Sequence, residues 1–438
     1  MSKPTSPLRG ERSTDSSPSQ KQATRPLQPL KPLRRGLLRA AASVATLGPG
    51  GWAATVLGLS GLHSALARAR PSDPAAAQAP ASAPAGGRPS PASAPVGAAE
   101  AAVNYPAVVP GYRMQFPRDH GAHPAFRTEW WYLTGWLEQG GGEPIGFQVT
   151  FFRSRPGVAE ALPVPSAARQ LIIAHVAVSS PALARLTHDQ RVARAAFGLA
   201  AASEGQMAVR LDDWRLEMDE HKRIQVRIAA REFTLELELQ GGGPALLQGE
   251  AGFSRKGPAP AQASYYYSLP NLQVSGRVAL GSAAARPVRG QAWFDHEWSS
   301  DYLAGQAVGW DWIGINLATG AALMAFRIRG AAGASVWAGA TVRHADGRED
   351  RHGPSEVVFE PIGQWQSPRS GIRYPVRMRV TVARIAWELR PLMDDQELDD
   401  RVGVGTAYWE GAVVAWSGQQ RVGRGYLELT GYAGRVEM

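Results

Sequence analysis

Three short stretches place ionisable side chains where a strand would ordinarily carry none. FRTEWWYLTGW (126–136) sets Glu129 directly before two tryptophans, QAWFDHEWSS (291–300) runs Asp295, His296 and Glu297 together between Trp293 and Trp298, and GWDWIGINL (309–317) puts Asp311 between Trp310 and Trp312. Side chains alternate along a strand, so Phe294, His296 and Trp298 share one face while Trp293, Asp295 and Glu297 share the other. A histidine among aromatic rings, oriented by a carboxylate, can give or take a proton near neutral pH. Structural ion pairs at a rim or a domain seam fit the same residues. Asp311 sides with Ile313, Ile315 and Leu317. An apolar face disfavours the charged carboxylate, so a protonated Asp311 able to donate to a carbon–carbon double bond is expected, or else an aspartate satisfied by backbone N–H groups.

Glu129 shares its face with Arg127, Trp131 and Leu133, while Trp130, Tyr132 and Trp136 line the other. An ion pair with an arginine such as Arg153 on the next strand makes it a polar clasp, and its catalytic use ranks behind that of Asp311 and His296. His120 and His123, spaced as HGAH, could join His175 or His296 around zinc. Nothing in that spacing is specific, so neither metal nor cofactor is expected. The sequence carries no Gly-x-Ser-x-Gly elbow, no phosphate-binding loop and no dinucleotide fingerprint after a strand.

The elements that must position these groups read as strand after strand. EWWYLTGWLE, the turn QGGGEP and IGFQVTFFR predict a hairpin with Ile145, Phe147, Val149 and Phe151 on one face. Only LARLTHDQRVARAAFGL and the stretch LMDDQELDD invite a helix. Many short strands joined by glycine turns predict antiparallel barrels or sandwiches. Tyr132 to Trp136 (YLTGW) is echoed by Leu427 to Tyr432 (LELTGY), which suggests two related barrels.

Ahead of the strands, 1–67 reads as an export signal: KPLRRGLLRA with Arg34 and Arg35, an apolar region interrupted by GPGG, then Ala65-Leu66-Ala67. The paired arginines resemble a twin-arginine signal, which implies a periplasmic or secreted protein; an uncleaved anchor is the alternative. Residues 68–104, rich in Pro, Ala and Ser, read as an extended tether. The leader holds nine Lys or Arg against Glu11 and Asp15, a net of +7 out of the chain's +9. The basicity thus belongs to the leader and nucleic acid is not an expected partner. The absence of cysteine excludes disulfides and thiolate chemistry.

FRTEWWYLTGW with GFQVTFFR behind it, YYYSLPNLQVSG, AWFDHEWSS, GWDWIGINL and GRGYLELTGY occur in an order that resembles the AttH and carotenoid 1,2-hydratase family across about residues 105–435. The resemblance implies two lipocalin-like β-barrel domains, assigned to 105–300 and 301–438. It also implies hydration of an isoprenoid double bond without a cofactor, or the unspecified activity of a secreted hydrolase. His296 and Trp298 match the family's His-x-Trp, and a ring-lined pocket suits a carbocation.

The expectation is therefore an all-β exported chain binding an apolar, isoprenoid or lipid-like ligand. Asp311, His296 and Glu129 are the catalytic candidates, and Trp298, Trp293, Trp130, Trp131, Tyr132, Trp310 and Trp312 the ligand-binding ones. A non-catalytic carrier, or an accessory protein working with an envelope transporter or at a membrane surface, is the alternative.

Overall fold

The computed structural model describes residues 103–436 apart from 158–159, 161–168, 302, 304 and 402–405. The expected signal and all but the end of the tether lie outside the described residues. The described residues belong to one compact unit, Leu66–Met438.

Among the described residues, thirteen strands form one antiparallel sheet and ten form a second. The first sheet nearly closes into a barrel and the second makes a half-barrel, giving two lipocalin-like domains. Hydrophobic alternation explains the hairpin that opens the first sheet, Thr128–Glu138 paired with Ile145–Ser154. Ile145, Phe147, Val149 and Phe151 fall on one face and are all fully buried in the first barrel. Two stretches that invited a helix are strands instead, Thr187–Arg194 and Glu397–Asp400. Each pairs with a neighbouring strand, so ladder hydrogen bonds override a local helical pattern.

The sheets repeat one topology. In each, the opening strand lies between the second strand and the last, and the last then pairs with a long penultimate strand. Thr128–Glu138 thus corresponds to Ala307–Leu317, and Arg286–Ser299 to Gln420–Thr430. The sequence echo that suggested duplication does not follow this correspondence. YLTGW lies on an opening strand and LELTGY on a closing one.

The barrels meet along an apolar seam that includes Tyr132, Trp136, Tyr266, Trp293, Trp312 and Tyr426. Trp136 donates to the carbonyl of Gly425 at 3.0 Å, and Trp312 to the Tyr266 hydroxyl at 3.0 Å. Gly314 is required here because a methyl group in its place would come within 2.5 Å of the Trp312 ring and 2.9 Å of Trp293.

Candidate functional site

The strand Arg286–Ser299 carries both of the clusters that could do chemistry, one on each face. It pairs with the Glu129 strand so that Trp131 lies opposite His296 and Tyr132 opposite Asp295. The alternation expected from the sequence holds: His296 and Trp298 enter the first barrel, while Trp293, Asp295 and Glu297 turn to the other side.

Inside the barrel, Glu129 is fully buried. Its Oε2 accepts from Arg153 Nε at 2.7 Å and from the His123 backbone N–H at 2.9 Å. Its Oε1 lies 2.7 Å from His123 Nδ1 and 2.9 Å from His296 Nε2. Burial alone would raise the Glu129 pKa, but the two imidazoles and the Arg153 charge outweigh it and hold the carboxyl well below its usual range. Burial pushes His296 down, and Glu129 only partly offsets this. For His123 the balance is reversed: burial lowers its pKa, but Asp119 and Glu129 together raise it. His123 stacks on Trp298 at 3.8 Å between ring centres and His296 on Trp131 at 4.8 Å. The expected ligand-binding rings Trp131 and Trp298 are therefore walls of the histidine cluster. Tyr267 places its hydroxyl 2.6 Å from His120 Nδ1 and 3.3 Å from His296 Nδ1. Burial, the largest influence, holds His120 near a pKa of about 4.

On the opposite face, the seam between the barrels holds four carboxyl groups. Asp295 accepts from Ser268, Trp293 Nε1 at 2.7 Å and the Tyr266 hydroxyl at 2.7 Å. Burial outweighs these bonds and raises its pKa to about 7. Glu297 is held by Ser264 and by Lys256 Nζ at 3.0 Å. Glu410 and Glu428 are direct cross-strand neighbours on Thr406–Ser417 and Gln420–Thr430. Like charges opposite one another in a sheet repel, so the pair is stable only when it retains a proton. Glu428 accepts from Trp310 Nε1 at 3.0 Å and the Thr430 hydroxyl at 2.9 Å. Burial raises its pKa to about 7 despite those bonds. Glu410 rises further, through burial and then Glu428 itself. The Tyr132 hydroxyl lies beside Glu410, and burial, then the Glu410 charge, pushes its pKa up. The partly buried Trp130, Trp310 and Trp337 border this seam, and Glu428 reaches its surface.

Asp311 occupies neither cluster, and the environment expected for it is corrected. Its carboxylate is buried on the core side of the second sheet, but not against hydrocarbon alone. Oδ2 accepts from Arg327 Nε at 3.0 Å and Nη2 at 2.5 Å, and Oδ1 accepts from Arg329 Nε at 2.8 Å and the Tyr432 hydroxyl at 3.0 Å. Both oxygens are thus occupied by donors from two guanidiniums and a hydroxyl, the setting of a structural ion pair. The charges come from strand Ala322–Gly330 and the hydroxyl from Tyr432, which the alternation of one strand cannot reveal.

The expected aromatic cavity is also redistributed. Tyr132, Trp293 and Trp312 are at most 7% exposed and packed within the seam. A cavity of about 650 Å³ opens over Arg327, Arg329, Arg373, Tyr432 and Arg435, and none of the expected tryptophans lines it. The seam acids Glu410 and Glu428 escaped the sequence reading. Their signal was alternation within WEGAVVAW and YLELTGY, where a glutamate interrupts hydrophobic strands.

Compared with known proteins, residues 107–432 match the AttH-like family model. The crystal structure of a protein from Nitrosomonas europaea assigned to AttH superposes with a TM-score of 0.70 at 51% identity, covering 75% of this chain and 99% of that one. Kievitone hydratase from Nectria haematococca superposes with a TM-score of 0.54 at 13% identity, over 75% of this chain and 96% of its own, a likeness of fold. None of the curated proteins compared matches the chain. A family match over most of the sequence and a half-identical structure establish that this chain belongs to the AttH-like family.

Proposed function

We propose that the chain adds water to, or removes it from, a carbon–carbon bond of an apolar ligand, with the Glu410–Glu428 pair as the proton donor. The observation that carries this reading is the register of two carboxyls directly opposite one another, Glu410 buried and Glu428 partly buried, beside the partly buried Trp310. Protonating an unactivated alkene needs a neutral acid, and a pair that shares a proton near neutral pH supplies one. In the hydration direction the proton moves from the pair to one alkene carbon and leaves a carbocation on the other. Water bonds to that carbon and returns a proton to the pair, so the acid is regenerated. Indole and phenol faces stabilise the cation through their quadrupoles.

Trp130, Trp310 and Trp337 offer the apolar contact by which an isoprenoid or lipid-like chain would enter. The fold shared with kievitone hydratase accords with this chemistry, but a fold does not carry a reaction and the carboxyl pair bears the weight. The basic leader supports an envelope location. The test is turnover of isoprenoid alkenes in ¹⁸O-labelled water, followed by mass spectrometry. Glu410→Gln is expected to lose about 100-fold or more of label incorporation while keeping its fold. Undiminished incorporation in both Glu410→Gln and Glu428→Gln removes the pair from the mechanism.

One observation favours a second reading, that of a carrier or accessory protein. Much of the aromatic surface is consumed in holding the barrels together. A carrier retains its ligand through purification in wild type and in both variants, with no labelled product.

A further inference from the structure

We propose that His123, Glu129 and His296 form a site for a divalent transition-metal ion, zinc by the character of the donors. This site lies inside the first barrel and does not depend on the reaction assigned to the seam. His123 Nδ1, Glu129 Oε1 and His296 Nε2 lie within 4.8 Å of one another. They come from three separate places in the chain: the loop before the first strand, that strand, and its neighbour Arg286–Ser299.

The groups behind these atoms determine which way their lone pairs point. His296 Nδ1 lies 3.1 Å from the Asp119 carbonyl and Nε2 2.9 Å from the Glu129 carboxylate, both of which can only accept, so the single hydrogen of a neutral ring serves one of them. The Tyr267 hydroxyl is more distant at 3.3 Å and makes its shorter contact, 2.6 Å, with His120. With that hydrogen on Nδ1, the Nε2 lone pair is aimed at Glu129. His123 repeats the arrangement. Its Nε2 faces the Asp119 carboxylate at 3.6 Å and its Nδ1 the same Glu129 oxygen at 2.7 Å, again an acceptor on each side. Asp119 is itself fixed by the Tyr112 hydroxyl at 2.9 Å and the Gln115 N–H at 2.7 Å.

Three lone pairs that converge need positive charge between them. Two additional protons or one divalent ion supply the same total charge, and the ion satisfies all three atoms at once. Imidazoles whose far nitrogens are held by a carboxylate and a backbone carbonyl are the usual outer arrangement of a metal site. Zinc takes such N and O donors at about 2.0–2.2 Å, so the 2.7 and 2.9 Å separations would widen by about 0.5 Å on binding. Arg153 occupies the other oxygen of Glu129 and leaves Oε1 for the ion. His123, at 14% exposure, gives the ion a way in.

The experiment uses the full chain without a histidine tag, stripped with chelator and dialysed. Zinc chloride is added by titration calorimetry and bound metal is measured by mass spectrometry. One equivalent per chain is expected, with affinity at least about 10-fold weaker in His123→Ala. Cobalt(II) added to wild type should give a visible absorption band that zinc abolishes, a readout needing no variant. Failure of wild type to bind either ion saturably overturns the proposal, as does unchanged affinity in a folded His123→Ala chain. Glu410→Gln should bind zinc as wild type does.

Discussion

Glu129 and Asp311 occupy corresponding places in the two sheets and meet different company. Each is a fully buried carboxylate on the opening strand of its sheet. Each has an arginine directly across on the second strand, Arg153 for Glu129 and Arg327 for Asp311. The remaining partners diverge. Asp311 takes a second guanidinium, Arg329, and the Tyr432 hydroxyl, whereas Glu129 takes two imidazoles. The same clasp is thus locked by two permanent charges in one barrel and by one, Arg153, together with two imidazoles in the other. A carboxylate held by two arginines has a structural task, while one that shares its charge with histidines can also take part in chemistry.

The largest effect should come from breaking the locked clasp. Asp311→Ala strands two guanidiniums that cannot discharge, and should cost about 3–5 kcal/mol in urea unfolding. Glu129→Gln, measured with chelator present, should cost less, about 1–3 kcal/mol, because the amide oxygen can still accept from Arg153 and only one guanidinium loses its charge partner. Equal losses in the two variants would mean that the second guanidinium adds nothing, and the distinction between the clasps would collapse.

A smaller effect is expected from the seam between the two clasps. A carboxyl whose folded pKa is raised contributes stability fully below its ordinary pKa, and that contribution is lost as pH rises through the folded value. For Glu428, raised to about 7, the window runs from about pH 4.5 to above 7. Wild type should therefore melt a few degrees lower at pH 8 than at pH 5.5, and Glu428→Gln should flatten that slope. A slope unchanged in the variant would assign the pH dependence to another group.

The smallest effect provides the reference. Arg424 and Glu138 pair at 2.6 Å across the barrels, but Glu138 is largely exposed. Arg424→Ala should change stability by about 0–1 kcal/mol, less so in high salt. A loss approaching that of Asp311→Ala would show that burial does not separate clasps from surface pairs in this molecule.

The sequence by itself determined the all-β class, the opening hairpin and the two faces of the AWFDHEW strand, because period-two alternation is a local property of the chain. It also offered Arg153 on the next strand as one partner for Glu129, since the hairpin lays the two strands side by side. Only the tertiary structure decided what Asp311 meets, because Arg329 and Tyr432 reach it through two-residue steps along a neighbouring strand and from the end of the chain. It also decided that His123 joins Glu129 and His296, and that Glu410 faces Glu428. Sheet closure sets such juxtapositions over separations that strand alternation does not encode. The chemical character of a buried carboxyl depends on them, since its charge is stabilised or refused by whatever the fold packs against it.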